Sequence, residues 1–204
     1  MGLIFMDTMQ HYDMSTLENI NRKWTAAVSN PTIASGALYG RLFGQRGVSL
    51  SGVAGKGFYK TIVNNGTNVY FGGWVYWPSL IPTSSAILWV GEGATEHVSI
   101  RGDGAGHLTM TRNNTVLGSA STGVVMIGVW YWIEARVYVH DTAGTYELRV
   151  NGSGAGWPSG SGVDTRNAMT GVLSSFGMFN NSGSYFSGVY IADDSGAFAN
   201  TWAG

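Results

Sequence analysis

The chain has 204 residues with 11 Lys+Arg against 12 Asp+Glu, a formal net charge of −1, and no cysteine. That balance gives no electrostatic footprint for a nucleic-acid backbone or an acidic membrane, and the missing thiols exclude a disulfide framework and thiolate chemistry. Aromatic residues at 13%, 31 glycines and only 11% charged residues favour turns and bulky strand formers over helix surfaces, so one all-β domain over residues 1–204 is expected.

The opening GLIFMDTM reads as a strand, and it reaches Asp7 with no positive n-region or signal-length apolar run, so no secretory leader is expected. Ser15 and Glu18 form a capping box, and Leu17, Ile20 and Trp24 then share one helical face, which predicts a short N-terminal helix. TIASGALY is a second strand. From Phe58 the strands come quickly: FYKTIV, VYFGGWVYW and AILWVGE, the last apolar on both faces and therefore central in a sheet. EHVSIRG and HLTMTR flank the turn DGAG, with Val98, Ile100, Leu108 and Met110 inward and His97, Ser99, Thr109 and Thr111 outward. A turn at Asn113 and Asn114 leads into NTVLGSAS and completes a meander.

WYWIEARVYVHDTAGTYELRVNG alternates on both sides of one turn. Ile133, Ala135, Val137 and Val139 share a core face with Tyr146, Leu148 and Val150, leaving Glu134, Arg136, Tyr138, Glu147 and Arg149 solvated. Pairing Arg136 with Glu147 and Glu134 with Arg149 leaves a loop from His140 to Ala143. Ser153 to Ala168 is a long Gly/Ser-rich loop carrying Trp157 before Pro158. VLSSFGMF and YFSGVYIADD supply the last strands, and no segment is long enough to span a bilayer. About a dozen short strands with one helix imply two packed antiparallel sheets.

Candidate chemistry is sparse. Glu92 and Glu96 resemble the Glu-x-Asp-x-Glu of sandwich-fold glucanases, with Ala94 in place of the aspartate. An unbroken strand would hold them about 13 Å apart, beyond the roughly 5–9.5 Å that glycosidase carboxylates need, although Gly91 and Gly93 suggest a turn. The four histidines show no metal-ligand spacing. Asp103, Asp193 and Asp194 lie in Gly-containing loops suited to hard cations but in no calcium-loop spacing, so ordinary turn aspartates are expected, with Asp193 and Asp194 the candidate calcium ligands; no other cofactor is expected. The Gly-rich GDGAG and GSGAG open no helix and do not cradle phosphate, and RGD at Arg101–Asp103 sits in a hairpin turn. Trp74 and Trp89 are assigned to the core. Trp157, Trp77, Tyr138 and Asn151 are the candidate contacts to a glycan or another subunit.

The segments HVSIRGDGAGHLTMTRNNTVLGSAS, WYWIEARVYVHDTAGTYELRVNG and VYIADDSGAFANTWAG together resemble the laminin G-like, concanavalin A-like jelly rolls of bacteriophage structural proteins. LIFMDTMQHYDMSTLENINRKW is similar to the start of those chains. The resemblance implies a two-sheet antiparallel β-sandwich and a non-enzymatic virion protein, exposed on the particle and made in the bacterial cytoplasm. It would act as capsid decoration or head fibre, with tail-tip glycan binding and glucanase-like hydrolysis as alternatives. Implied partners are other virion proteins, further copies of the chain and a host surface glycan, without nucleic acid or membrane insertion. Ser187 and Gly188 stand where the family often carries an acidic pair, while Asp193 matches the acidic residue that follows. Family members commonly continue past Gly204 into another strand, so a neighbouring chain is expected to cover that edge.

Overall fold

The computed structural model describes residues 2–7, 23–28, 32–35, 46–49, 56–63, 67–79, 81, 83–167, 169–180 and 184–194. The chain runs through β1 (Gly2–Asp7), β2 (Ala26–Val28), β3 (Thr32–Ser35), β4 (Arg46–Ser49), β5 (Lys56–Thr61) and β6 (Asn68–Tyr76). It continues through β7 (Thr83–Glu92), β8 (Thr95–Asp103), β9 (Leu108–Arg112), β10 (Thr115–Val116) and β11 (Trp130–Tyr138). The last strands are β12 (Gly144–Val150), β13 (Ser159–Val163), β14 (Ser175–Asn180) and β15 (Tyr185–Asp193). They form two antiparallel sheets. The first has the order β13-β12-β11-β6-β15-β4-β3, with β1 also on β15; the second has the order β10-β9-β8-β7-β14-β5-β2. The expected all-β sandwich is therefore the observed architecture, and among the described residues no helix is long and apolar enough to cross a membrane.

Alternation builds the core. Val69, Phe71 and Val75 of β6, Ile133, Ala135 and Val137 of β11, and Leu148 and Val150 of β12 point from the first sheet into the interior. They meet Phe58, Leu88, Val90, Val98, Ile100, Phe176 and Met178 of the second. Phe71 and Phe176 touch across the two layers, with ring centroids 6.2 Å apart. Each such buried side chain contributes about 1.5–3 kcal/mol.

The meander is observed with β7 at the middle of its sheet, and Asn113 and Asn114 close β9 onto β10 with φ of 42° and 71°. Both values are positive, as a type I′ turn requires. The long hairpin has the register expected from its charges, Glu134 opposite Arg149 and Arg136 opposite Glu147.

Several expectations are corrected. Residues 153–168 are not one loop: Ser159–Val163 forms β13 and pairs with β12, and beyond it Asp164 and Arg166 pair with Arg112 and Asp141. His97 is not on an open face. It is the extra residue of a β-bulge, because Val90 pairs with Val98 and Gly91 with Glu96, and it is fully buried. Trp77 lies on the inward parity of Val69, Phe71 and Val75 and is 0% exposed, so it is a core residue and no ligand contact. Trp74 has the opposite parity and faces outward, half-buried. Trp89 sits outside the core cluster, on the outer side of the second sheet, where it stacks on Phe179 at 5.8 Å. The helix expected from Ser15 falls outside the described residues except at its end, where Trp24 is buried and its indole donates to Asp7 Oδ2 at 2.7 Å.

β15 contains a second bulge. Ser187 pairs with Trp74 and Tyr190 with Gly72, so Gly188 and Val189 together face one residue, Gly73. Gly188 has φ of +59°, a left-handed conformation that costs a residue with a Cβ about 1–2 kcal/mol. The extra residue resets parity: Phe186 and Val189 both point inward, and Tyr190 is turned to the outer face.

Candidate functional site

The outer face of the first sheet carries the densest chemistry. β11 sends Trp130, Trp132, Glu134, Arg136 and Tyr138 to this face, and β6 sends Tyr70, Gly72, Trp74 and Tyr76. Register places Trp130 beside Tyr76, Trp132 beside Trp74, Glu134 beside Gly72 and Arg136 beside Tyr70. The rings touch accordingly. Trp130 and Tyr76 lie 5.4 Å apart, Tyr76 and Tyr185 5.9 Å, and Trp74 and Trp132 5.4 Å. Trp132 also stacks on Tyr190 at 5.8 Å, 6° from parallel. Each aromatic pair adds about 0.5–1.5 kcal/mol, and Trp74, Tyr76, Trp130, Trp132 and Tyr185 are half-buried. The result is an aromatic ledge across three strands.

Its floor is polar. Gly72 has no side chain, and Glu134 and Tyr190 close over the gap, the Tyr190 hydroxyl donating to Glu134 Oε1. Glu134 was expected in solvent, yet it is 0% exposed, because the bulge at Gly188 brings Tyr190 over it. Burial, and then the charge of Glu134, push the Tyr190 phenol far above its ordinary value, so it remains a neutral donor.

Beyond Glu134 the face opens into a cleft of about 590 Å³ lined by Arg136, Thr145, Glu147, Gly154, Ser159 and Ser161. Arg149 Nε donates to Glu147 Oε1 at 2.9 Å, and the Arg136 guanidinium sits 5.4 Å from the centre of the Tyr70 ring. The cleft walls are mainly polar and charged, and the aromatic ledge lies on the same sheet face on the other side of Glu134.

The structure brings some of the sequence candidates here and not others. Tyr138 lies on this face, stacked on His140 at 5.7 Å. Asn151 caps the end of the hairpin: its Oδ1 accepts from Trp132 N at 3.0 Å and its own amide donates to Trp132 O at 2.8 Å. Trp157 is half-buried, its indole lying on Gly123, and it lines a separate cleft of about 300 Å³ with residues of the 118–122 segment and Tyr146. Asp194 Oδ2 accepts from Asn68 at 3.0 Å. Among the described residues no group of three or more His, Cys, Asp or Glu side chains is placed to hold a metal, so no third carboxylate or imidazole joins Asp193 and Asp194 there.

Glu92 and Glu96 are each engaged by different partners. Glu92 accepts from the Thr170 amide and hydroxyl and the Gly171 amide. Burial alone would raise its carboxyl, but these donors and His97 hold it below the ordinary value. Glu96 takes both bonds from Arg101 Nη2, at 2.8 and 3.0 Å, and one from Ser99 at 2.7 Å. Arg101 of the RGD turn is thus engaged, and Asp103 is tied to His107 at 2.7 Å.

No protein-family model and no curated protein matches this chain. Solved structures do. Trypanosoma rangeli sialidase in complex with 2,3-difluoro-KDN is similar over 93% of this chain at 18% identity and a TM-score of 0.58; the chain spans only 30% of the sialidase. Domain 4 of AbnA, a GH43 extracellular arabinanase from Geobacillus stearothermophilus in complex with arabinotriose, is similar over 94% of this chain and 92% of its own. That match has 14% identity and a TM-score of 0.57. The catalytic domain of a glycoside hydrolase family 131 protein from Coprinopsis cinerea is similar over 95% of both chains, at 12% identity and a TM-score of 0.53. None of these three comes from a bacteriophage. They overturn the expectation of a non-enzymatic protein: a glycoside hydrolase catalytic domain uses this sandwich over nearly its full length, so the fold gives no ground for excluding catalysis. At these identities the likeness establishes the β-sandwich fold and nothing finer.

Proposed function

We propose that this domain binds a carbohydrate chain along the outer face of the first sheet. The observation that carries the reading is the partly buried ledge of Trp130, Tyr76, Tyr185, Trp132 and Trp74 on the same sheet face as the 590 Å³ polar cleft. Flat apolar rings stack on sugar faces, and the hydroxyl and charged groups beside them bond sugar hydroxyls. The arabinotriose complex of the arabinanase domain, a sandwich of matching span, supports it. Affinity electrophoresis against a polysaccharide panel tests it. Trp130→Ala should weaken retention roughly three- to tenfold, the worth of one ring contact, while leaving the melting temperature within a few degrees. Retention by no polysaccharide, or equal retention of Trp130→Ala and wild type, sinks the reading.

Hydrolysis on the same face is the second reading. Glu134 and Glu147 lie on paired strands one diagonal step apart, a backbone spacing of about 7–8 Å from which their carboxyl groups can reach the roughly 6.5–9.5 Å separation of inverting glycosidases. The family 131 catalytic domain favours it. Release of reducing sugar that disappears in Glu147→Gln supports hydrolysis, and binding without release across the panel rejects it. Capsid decoration rests on the sequence resemblance alone and ranks below both.

A further inference from the structure

Arg136 lies on the wall of the cleft, on the strand face that carries Trp130, Trp132 and Glu134. Register sets it opposite Glu147, but Glu147 Oε1 accepts from Arg149 Nε. Glu134, two residues back on the same strand face, accepts from Tyr190. Among the described residues Arg136 makes no hydrogen bond or ion pair, and its one contact of that kind is the face of Tyr70, 5.4 Å away. A guanidinium stays charged and carries five N–H donors in a fixed fork. Half-burying it on the wall of the cleft, with one oxygen of each neighbouring carboxylate already engaged by another donor, leaves the N–H groups of that fork without a partner among the described residues.

We propose that the cleft takes an acidic sugar unit, and that Arg136 pairs with its carboxylate through two parallel N–H···O bonds. The inference rests on the carbohydrate-binding reading and gives it a substrate class: uronate-containing glycans. Tyr70 orients the guanidinium by holding its plane. Thr145, Ser159 and Ser161 on the cleft walls supply hydroxyls for the ring of the bound unit, and the ledge stacks the next.

The test is retention by polygalacturonate and by alginate, compared with fully methyl-esterified polygalacturonate, which keeps the sugar and removes the charge. Wild type should be retained by the free acids and released by salt, and the ester should bind at least tenfold more weakly. Arg136→Gln should lose roughly ten- to a hundredfold in affinity for the acids, the worth of a charge-assisted bidentate pair, and Arg136→Lys should fall between. Melting curves of each variant establish that the fold is kept. Equal binding of acid and ester, or unchanged affinity in Arg136→Gln while Trp130→Ala still weakens binding, overturns the acidic assignment and leaves carbohydrate binding intact. Stronger retention by dextran sulfate than by either polyuronate also overturns it. Absence of retention by every acidic and neutral polysaccharide overturns both.

Discussion

Gly72→Ala is the sharpest probe of the outer face. A methyl on Gly72 would come within 2.5 Å of the Ile133 carbonyl oxygen, 2.9 Å of Glu134 Cγ and 3.0 Å of Glu134 Cα. Two of those atoms belong to the paired backbone and cannot rotate away. Either β6 and β11 separate locally or Glu134 swings out and releases Tyr190. Overpacking of this kind costs about 1–3 kcal/mol, and the lost hydroxyl–carboxylate bond about 1.5–3 kcal/mol more. A total near 4 kcal/mol corresponds to a fall in Tm of about 8–16 °C for a domain of this size. Calorimetry and urea unfolding measure it. The mechanism also dictates non-additivity: Tyr190→Phe should cost about 2 kcal/mol in wild type but little once Gly72→Ala has already broken the bond. A Gly72→Ala protein within about 0.5 kcal/mol of wild type, or strictly additive losses in the double variant, refutes the reasoning.

Two further outcomes follow from burial. Trp77→Ala should cost about 3–5 kcal/mol in urea unfolding, since the indole is wholly enclosed, whereas Trp130→Ala should cost under about 1.5 kcal/mol; equal losses would mean the two parities are wrongly assigned. His97 predicts a pH dependence. Burial pulls it below its ordinary 6.5 and Arg166 adds to this, while Glu92 at 3.7 Å opposes it. The neutral ring accepts the Asn167 amide on Nδ1 at 3.0 Å. The unfolded chain takes up the proton first, so the contribution to stability is complete above about pH 6.5 and is lost as pH falls through the folded value. Tm should decline between about pH 7 and pH 5 in wild type and decline less in His97→Gln; parallel curves would remove His97 from the account.

How much of this was legible depends on where the information sits. The β11–β12 hairpin was readable because both arms alternate cleanly, and opposite charges at matching positions mark one register. The Trp74 and Trp77 assignment came out reversed, although the signal was present: counting parity from Val69 and Phe71 puts Trp77 inward and Trp74 outward. Tyr190 could not be placed by alternation, since the bulge at Gly188 shifts it by one; the glycine inside an apolar run was the only local sign. The burial of Glu134 was not legible at all. It depends on Gly72 and Tyr190, which come from two other strands far away in the chain, and charge alone pointed to solvent. His97 failed for the same reason, covered by a segment that local pattern does not bring near.

β14 sits between β7 and β5 in one sheet, and β15 between β6 and β4 in the other, with β1 also resting on β15. Among the described residues, β1 to β5 reach the later strands through ladder pairing only with these two. During synthesis the β7–β10 meander and the β11–β12 hairpin can zip as soon as they emerge, because their partners are adjacent in sequence. The amino-terminal strands emerge earlier and wait, β5 and β2 until β14 is made and β1, β3 and β4 until the chain has reached Asp193. Folding should therefore be late and steep, and shortening the chain from its carboxyl end into β15 should release β1, β3 and β4 together, while β5 and β2 stay paired to β14, rather than fray a single edge.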